Sequence, residues 1–268
     1  MKPFELMLPK ELNSFEDVFS NWELVVVEPK IDGIRIQAHL ENGTCRLFTR
    51  TGREITFQFP YLCEDILGAT YSRNTILDGE LIAVNNNQIL SFEEIMRRYK
   101  SKQQFKDIGA LFFDLIDFEE NNIFDKPYVE RKQLLIDILN PTKSVSVVPS
   151  RVVKNEIEAE SLYRQILDKK FEGIVVKNGY GYYEFGRSDD ILKLKPLNFI
   201  DLIVKETEAY PSGGFWYSLT DGRKEICNIR DWRRLAIGSW VEVGFEKQFS
   251  SGKLKFARII REREAKKP

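Results

Sequence analysis

Among 268 residues the chain has a single histidine, three cysteines and three methionines. Nowhere does an apolar run approach the roughly 20 residues that a bilayer-crossing helix needs. The lone histidine, His39, excludes zinc sites built from several histidines and leaves any catalytic triad dependent on this one residue. Its neighbours Ile36, Ala38 and Leu40 give it an ordinary strand position. Cys45, Cys63 and Cys227 form no pair spaced like a metal knuckle, and their odd number argues against a disulfide framework. A reducing compartment, the cytoplasm, is therefore expected, with no membrane attachment, since the first residues are broken by Pro3, Pro9 and charges. What remains for chemistry is Lys, Arg, Asp, Glu and Tyr.

What is present describes a soluble, folded chain: 43% of the residues are hydrophobic and the formal net charge is −1. The length suits one large domain, or a large one carrying a small one. Short β-rich runs near 22–28, 34–40, 44–50, 75–84, 108–117, 173–177 and 191–195 alternate with helical stretches near 14–21, 60–67, 91–100, 128–139 and 156–169. Glu41-Asn-Gly43 reads as a hairpin turn, and Ser91-Phe-Glu-Glu94 has the spacing of a capping box. The fold class is α+β with mainly antiparallel sheets and no regular strand-helix rhythm. After Pro196 about five strands are expected in some 70 residues, near 200–207, 215–219, 225–229, 240–247 and 254–261, which suggests a small OB-fold β-barrel. The boundary thus divides the chain into 1–196 and 197–268. Residues 197–268 hold 14 Lys/Arg and 10 Asp/Glu, a net +4 against −5 for the rest, so the near-zero total conceals a basic tail.

The most informative segment is Glu28-Pro-Lys-Ile-Asp-Gly-Ile-Arg35. Lys30 follows an apolar strand and precedes a turn containing Asp32 and Gly33, which holds it at a strand end. A lysine nucleophile must be neutral, through desolvation or neighbouring cations, and Arg35 supplies such a charge if the turn folds it back. Further along come Phe48-Thr-Arg-Thr-Gly-Arg53, Leu77-Asp-Gly-Glu-Leu81, Phe112-Phe-Asp-Leu115, Glu172-Gly-Ile-Val-Val-Lys177 and Leu192-Lys-Leu-Lys-Pro196. In the last of these the period of two places Lys193 and Lys195 on one strand face, as suits a phosphate chain. Glu80 and Glu172 are hard oxygen donors of the kind that hold Mg²⁺ together with phosphate oxygens.

In order and spelling these segments resemble the covalent nucleotidyltransferase superfamily, and within it the ATP-dependent DNA ligases. Connecting text is similar too, in Ser91–Arg98, in Pro127-Tyr-Val-Glu-Arg-Lys-Gln-Leu-Leu135 and in Tyr183-Glu-Phe-Gly-Arg-Ser188. The resemblance implies an adenylation domain followed by the OB-fold. It implies that Lys30 attacks the α-phosphate of ATP to form lysyl-AMP, that AMP passes to the 5′-phosphate of nicked duplex DNA, and that the adjacent 3′-hydroxyl seals the strand. By the same resemblance Glu28 touches the adenine, Phe113 stacks on it, and Glu80 meets the ribose and helps organise metal. Arg35 and Arg50 contact sugar or phosphate, and Arg35 and Arg187 face the nucleic acid, Arg187 at the nick phosphate. Glu172 helps place Mg²⁺, with Mn²⁺ as a substitute, while Lys193 and Lys195 neutralise charge in the transfer. Arg258 and Arg261 are candidate DNA contacts in the basic barrel.

Two departures accompany the resemblance. The final ligase motif reads Arg-x-Asp-Lys, whereas Arg263-Glu-Ala-Lys266 carries Ala265 where Asp is expected. Only 29 residues precede Lys30, which leaves no room for a separate N-terminal DNA-binding domain, and no long insertion stands out between Phe215 and Trp240. A minimal, monomeric ligase is expected. The alternatives are an RNA ligase, a GTP-using capping enzyme, or a non-catalytic nucleic-acid binder whose aromatics Phe215, Trp216, Tyr217 and Trp240 stack on bases.

Overall fold

Val25-Val-Val27 and Gly173-Ile-Val-Val176 are β-branched runs bounded by turn residues, and they pair antiparallel at the centre of a five-stranded sheet. The computed structural model describes residues 2–263 except 13–14, 73, 87, 102, 120, 211–212, 250 and 256, and the side chains of Lys247 and Lys255. Two compact units result, Met1–Leu194 and Lys195–Pro268. The expected helix start at Ser14 and the variant Ala265 and Lys266 fall outside the described residues.

In chain order the first unit comprises β1 (Met7–Glu11), α1 (Phe15–Asn21), β2 (Val25–Lys30), β3 (Ile34–Glu41), β4 (Thr44–Thr49), α2 (Pro60–Ala69), β5 (Thr75–Asn85), β6 (Gln88–Ile89) and α3 (Phe92–Lys100). It continues with β7 (Ile108–Phe118), β8 (Asn121–Asn122), α4 (Tyr128–Ile138), β9 (Val145–Val147), β10 (Arg151–Val153), α5 (Glu156–Asp168), β11 (Gly173–Asn178) and β12 (Gly186–Leu194). One sheet runs β1-β12-β11-β2-β10, and only its β1–β12 pairing is parallel. The other follows β4-β3-β5-β7-β8, with β6 added to β5 and β9 running parallel to β7. The 42–43 turn joins β3 to β4, Asn42 and Gly43 both taking positive φ as a tight hairpin requires.

The apolar clusters show how these sheets are layered. Helices α1 and α5 cover the outer face of the five-stranded sheet with Val18, Ala159 and Ile166 against Val25, Val27, Ile174 and Val176. Helices α2, α3 and α4 cover the outer face of the seven-stranded sheet through Leu62, Ile66, Ile95 and Leu135. Between the sheets lie two smaller clusters, one around Met7, Ile76, Ile116 and Ile191 and one around Ile31, Ile82 and Val148. These inner clusters flank a polar interior, where the candidate site sits.

The second unit is β13 (Asn198–Ala209), β14 (Phe215–Thr220), β15 (Glu225–Asp231), β16 (Trp240–Phe245), β17 (Lys247–Gln248), β18 (Leu254–Lys255) and β19 (Arg258–Arg263). Five strands form an antiparallel sheet, β15-β14-β13-β16-β19, around Leu202, Val204, Tyr217, Leu219, Val241 and Val243. The fifth strand starts later than expected: Leu254–Lys255 pairs instead with Lys247–Gln248 in a separate hairpin whose turn places Gly252 at φ +83°. Of the proposed stacking aromatics, Tyr217 is wholly buried and its hydroxyl donates to the Arg233 carbonyl at 2.7 Å. Among the described residues, no helix is long and apolar enough to cross a membrane.

Helix capping differs between α5 and α3. Asn155 caps α5, accepting from the Glu158 N–H at 2.9 Å. Ser91 occupies the N-cap of α3 without a side-chain cap bond, the Glu94 N–H donating to the Ser91 carbonyl at 3.0 Å, and the Glu94 carboxylate pairs with Arg97 (2.9 Å) and Arg98 (2.5 Å) on its own helix. His39 is buried on β3, with Nε2 3.1 Å from Gln37 Oε1 and its ring edge-on to Phe48. Burial, with the Arg46 cation adding to it, pushes the imidazole down to about 4. An unfolded chain binds this proton near pH 6.5, so stability is lost as pH falls from there towards 4. The expected loss is about 3 kcal/mol. Urea titrations at pH 7 and pH 4 should show wild type losing that much more than a His39→Leu variant, and equal losses would remove His39 as the cause.

Candidate active site

Glu28 and Lys30 lie two residues apart at the end of β2, so both point into the space between the sheets. The register that places Gly173 opposite Lys30 brings the preceding Glu172 alongside, and Glu172 N–H also donates to the Lys30 carbonyl at 3.2 Å. Lys30 Nζ is 2.7 Å from Glu172 Oε2, and the lysine side chain is 22% exposed, enough to be approached from solvent. Gly33 makes the turn possible: a Cβ there would stand 2.3 Å from the Leu81 carbonyl oxygen and 2.7 Å from Glu80 Cγ. The Asp-Gly turn after the lysine is thus required by its close approach to β5.

That approach places Arg35 opposite Glu80 across the β3–β5 ladder. Arg35 does fold back, but onto Asp78, donating from Nε at 3.0 Å and from NH2 at 2.6 Å. Asp78 is wholly buried and also accepts from the Tyr183 hydroxyl at 2.6 Å. The Arg35 guanidinium lies 5.0 Å from the centroid of Phe113, whose half-buried ring faces inward from β7. Burial weakens the charged form of Arg35, yet Asp78 outweighs it and holds the guanidinium more firmly protonated than usual. Glu80 shows the reverse balance: burial pushes its carboxyl up to about 7 despite the Lys30 and Arg35 cations. Arg50 has an exposed side chain, and its backbone N–H donates to the Arg35 carbonyl at 3.2 Å.

Lys193 lies near the end of β12, with Nζ 3.0 Å from Glu11 Oε1 on the parallel neighbour β1. Lys195 lies beyond the strand end, as the first residue of the second unit, and pairs there with Glu246 at 2.7 Å. The shared strand face expected for the two lysines therefore stops at Leu194. Arg187 is exposed on β12, NH1 lying 3.4 Å from the Pro9 carbonyl oxygen. In the second unit Arg258 and Arg261 project from β19, Arg261 Nε bonding Glu242 at 2.7 Å.

A buried charge cluster lies behind Lys30, and sequence reasoning missed most of it. Glu28 is 2% exposed, accepts from the Tyr128 hydroxyl (2.6 Å) and Lys132 Nζ (2.5 Å), and forms an ion pair with Lys177 Nζ (2.9 Å). Burial alone would raise the Glu28 carboxyl, but the two ammonium groups reverse that and hold it below the ordinary range. Lys177 also donates to the Phe113 carbonyl at 3.2 Å, and Arg131 Nε bonds Asp114 at 2.8 Å. The available signal was positional. Tyr128, Arg131, Lys132, Leu135 and Ile138 share one helical face, and cations on an otherwise apolar face need buried carboxylates.

Among the described residues, no group of three or more His, Cys, Asp or Glu side chains could hold a metal ion. Glu80 and Glu172 nevertheless fit Mg²⁺, which takes one or two carboxylates and fills its remaining positions with water and substrate phosphate.

Comparison with known proteins identifies the family and the fold. Residues 6–195 match the family described as the ATP dependent DNA ligase domain. A protein of Methanosphaera stadtmanae named DNA ligase is 31% identical over 236 residues, covering 82% of this chain and 42% of that protein. A DNA ligase of Methanothrix thermoacetophila is 32% identical over 213 residues, covering 76% of this chain and 38% of that protein. The chain thus spans about two fifths of the length of these relatives. Among solved structures, a chain from a study of Lig E DNA ligases and DNA binding with a minimal scaffold superposes with TM-score 0.72 at 20% identity, covering 97% of this chain and 99% of that one. At that identity the likeness concerns the fold, a ligase-type nucleotidyltransferase domain followed by an OB-fold.

Proposed function

This chain belongs to the ATP-dependent DNA ligase domain family, and on that premise we propose that it seals nicks in duplex DNA through a covalent lysyl-AMP formed at Lys30. The observation that carries the proposal is the Lys30 amine, on a side chain 22% exposed between the two sheets and held by Glu172 at 2.7 Å. Neutral Lys30 Nζ attacks the α-phosphorus of ATP; the P–N bond forms, the bond to the β-phosphate oxygen breaks, and pyrophosphate leaves. An oxygen of the DNA 5′-phosphate then takes AMP from Lys30. Finally the adjacent 3′-hydroxyl attacks that 5′-phosphate, releasing AMP and closing the strand. Such transfers depend on in-line positioning and charge neutralisation more than on an acid-base pair, which suits a chain with one histidine.

The residues divide this work. Phe113 stacks on the adenine and Glu28 meets its edge, while Glu80 reaches the ribose. Arg35, anchored by Asp78, and Arg50, anchored by its backbone, contact sugar or phosphate. Lys193 and Lys195 neutralise charge on the α-phosphate, each giving up a carboxylate partner, Glu11 and Glu246, that a phosphate replaces. Glu80 and Glu172 hold Mg²⁺, which when bound screens the phosphate charge. Arg187 receives the nick phosphate, and a monomer serving DNA repair, replication or recombination in the cytoplasm is the simplest setting.

The test is sealing of a labelled nick in all-DNA and all-RNA duplexes, with ATP or GTP as donor. Joining of the DNA nick with ATP is expected. Preference for the RNA nick would move the protein to the RNA ligases, and use of GTP alone to capping chemistry. Arg258→Ala and Arg261→Ala should each weaken nick binding and reduce the slope of log affinity against log salt by about one. An unchanged slope would remove β19 from the DNA interface.

A further inference from the structure

We propose that Lys132 and Tyr128, one turn apart on α4, are positioning residues for base selection that act through Glu28. The inference rests on the reading that Glu28 meets the base edge. A carboxylate offers about four acceptor positions. Oε1 is filled from behind by the Tyr128 hydroxyl and Lys132 Nζ, while Lys177 Nζ forms an ion pair with Oε2 at 2.9 Å. The position left for a base is on Oε2, on a side chain with almost no exposed surface.

An ionised carboxylate accepts and does not donate. Opposite an exocyclic amine, as at C6 of adenine, the remaining position makes a charge-assisted hydrogen bond. Opposite a carbonyl, as at C6 of guanine, two acceptors meet and neither is satisfied. Discrimination of this kind depends on the carboxylate being held in one orientation, because a carboxylate free to rotate would trade one partner for another. Lys132 supplies that restraint. Its ammonium also donates to the Val148 carbonyl at 2.7 Å, which fixes it between β2 and the segment after β9. Arg131, the next residue back, ties the same helix to Asp114 through Nε at 2.8 Å and NH2 at 3.2 Å. Helix α4 thus sets the direction of the Glu28 acceptor without touching the nucleotide.

The experiment compares labelling of Lys30 by α-labelled ATP and by α-labelled purine riboside triphosphate, which lacks the 6-amino group, as a ratio of kcat/KM values. Wild type should favour ATP by roughly 10- to 100-fold, as expected for one hydrogen bond to a charged group. Tyr128→Phe and Lys132→Met should each lower that ratio at least fivefold, with the ATP reaction affected more than the analogue, and Lys132→Arg should restore part of it. General damage to the fold would depress both substrates alike and leave the ratio in place. Should Lys132→Met fail to fold, Tyr128→Phe, which removes a single oxygen, decides. A wild-type ratio near one would overturn the reading of Glu28 at the base and the inference with it. A high wild-type ratio unchanged in the variants would overturn the role of α4 alone.

Discussion

Lys30→Ala protein, incubated with Mg²⁺ and α-labelled ATP and run on a denaturing gel, is expected to carry no label, a loss on the order of 10³-fold or more. The loss is this large because no other amine can take over. Lys177 and Lys132 are buried against Glu28, and Lys193 is drawn to Glu11 on the neighbouring strand. The fold should survive, since the truncated side chain is partly solvated and its partner Glu172 keeps access to water. A stability change within about 1 kcal/mol is expected. Label retained in the variant would place the nucleophile elsewhere. Treating wild type with pyrophosphate beforehand removes AMP already attached and makes the comparison fair.

The largest effect on stability should come from Asp78→Ala. Asp78 is inaccessible to solvent, accepts both arms of the Arg35 guanidinium and also receives the Tyr183 hydroxyl. Removing the carboxylate leaves a buried cation and a buried hydroxyl without their acceptor, at a cost of about 3–5 kcal/mol. For a unit of this size that corresponds to a drop in melting temperature of roughly 10 °C. Thermal unfolding followed by circular dichroism would measure it. A drop below about 2 °C would mean that water or another group takes over the arginine, and Asp78 would lose its place as the anchor of the β3–β5 ladder.

Much of this architecture could be read from residue patterns because local rules and packing coincide there. The hairpin at Asn42-Gly43 has a dipeptide that fits its positive φ values, and the Gly after Asp32 has no room for a side chain. Lys30 and Glu172 could be picked out as charged residues at the ends of apolar strands. Failures occurred where a side-chain partner overrides a local preference. Ser91 and Glu94 have capping-box spacing, yet two arginines on the same helix hold the glutamate. Arg131 and Lys132 entered only as part of the 127–135 stretch, and the distant Asp114 and Glu28 explain their burial. Met7–Glu11 carries no strand signal of its own, with Pro9 at its centre, and becomes a strand because β12 offers it an edge.

That edge pairing also bears on how the chain reaches its native state. Leu8 aligns with Arg187 and Glu11 with Lys193, so the sheet that carries Lys30 joins the beginning of the unit to its end. During synthesis β1 has no partner until β12 has left the ribosome, and β2 must wait nearly as long for β11. The seven-stranded sheet, whose β3–β4 and β3–β5 neighbours are close in sequence, can form well before. Non-local pairing of this kind slows folding, because the loop must be closed before any contact rewards it. The strand that carries Lys30 is thus held between late-arriving partners, and the candidate site is among the last parts of the unit to take shape.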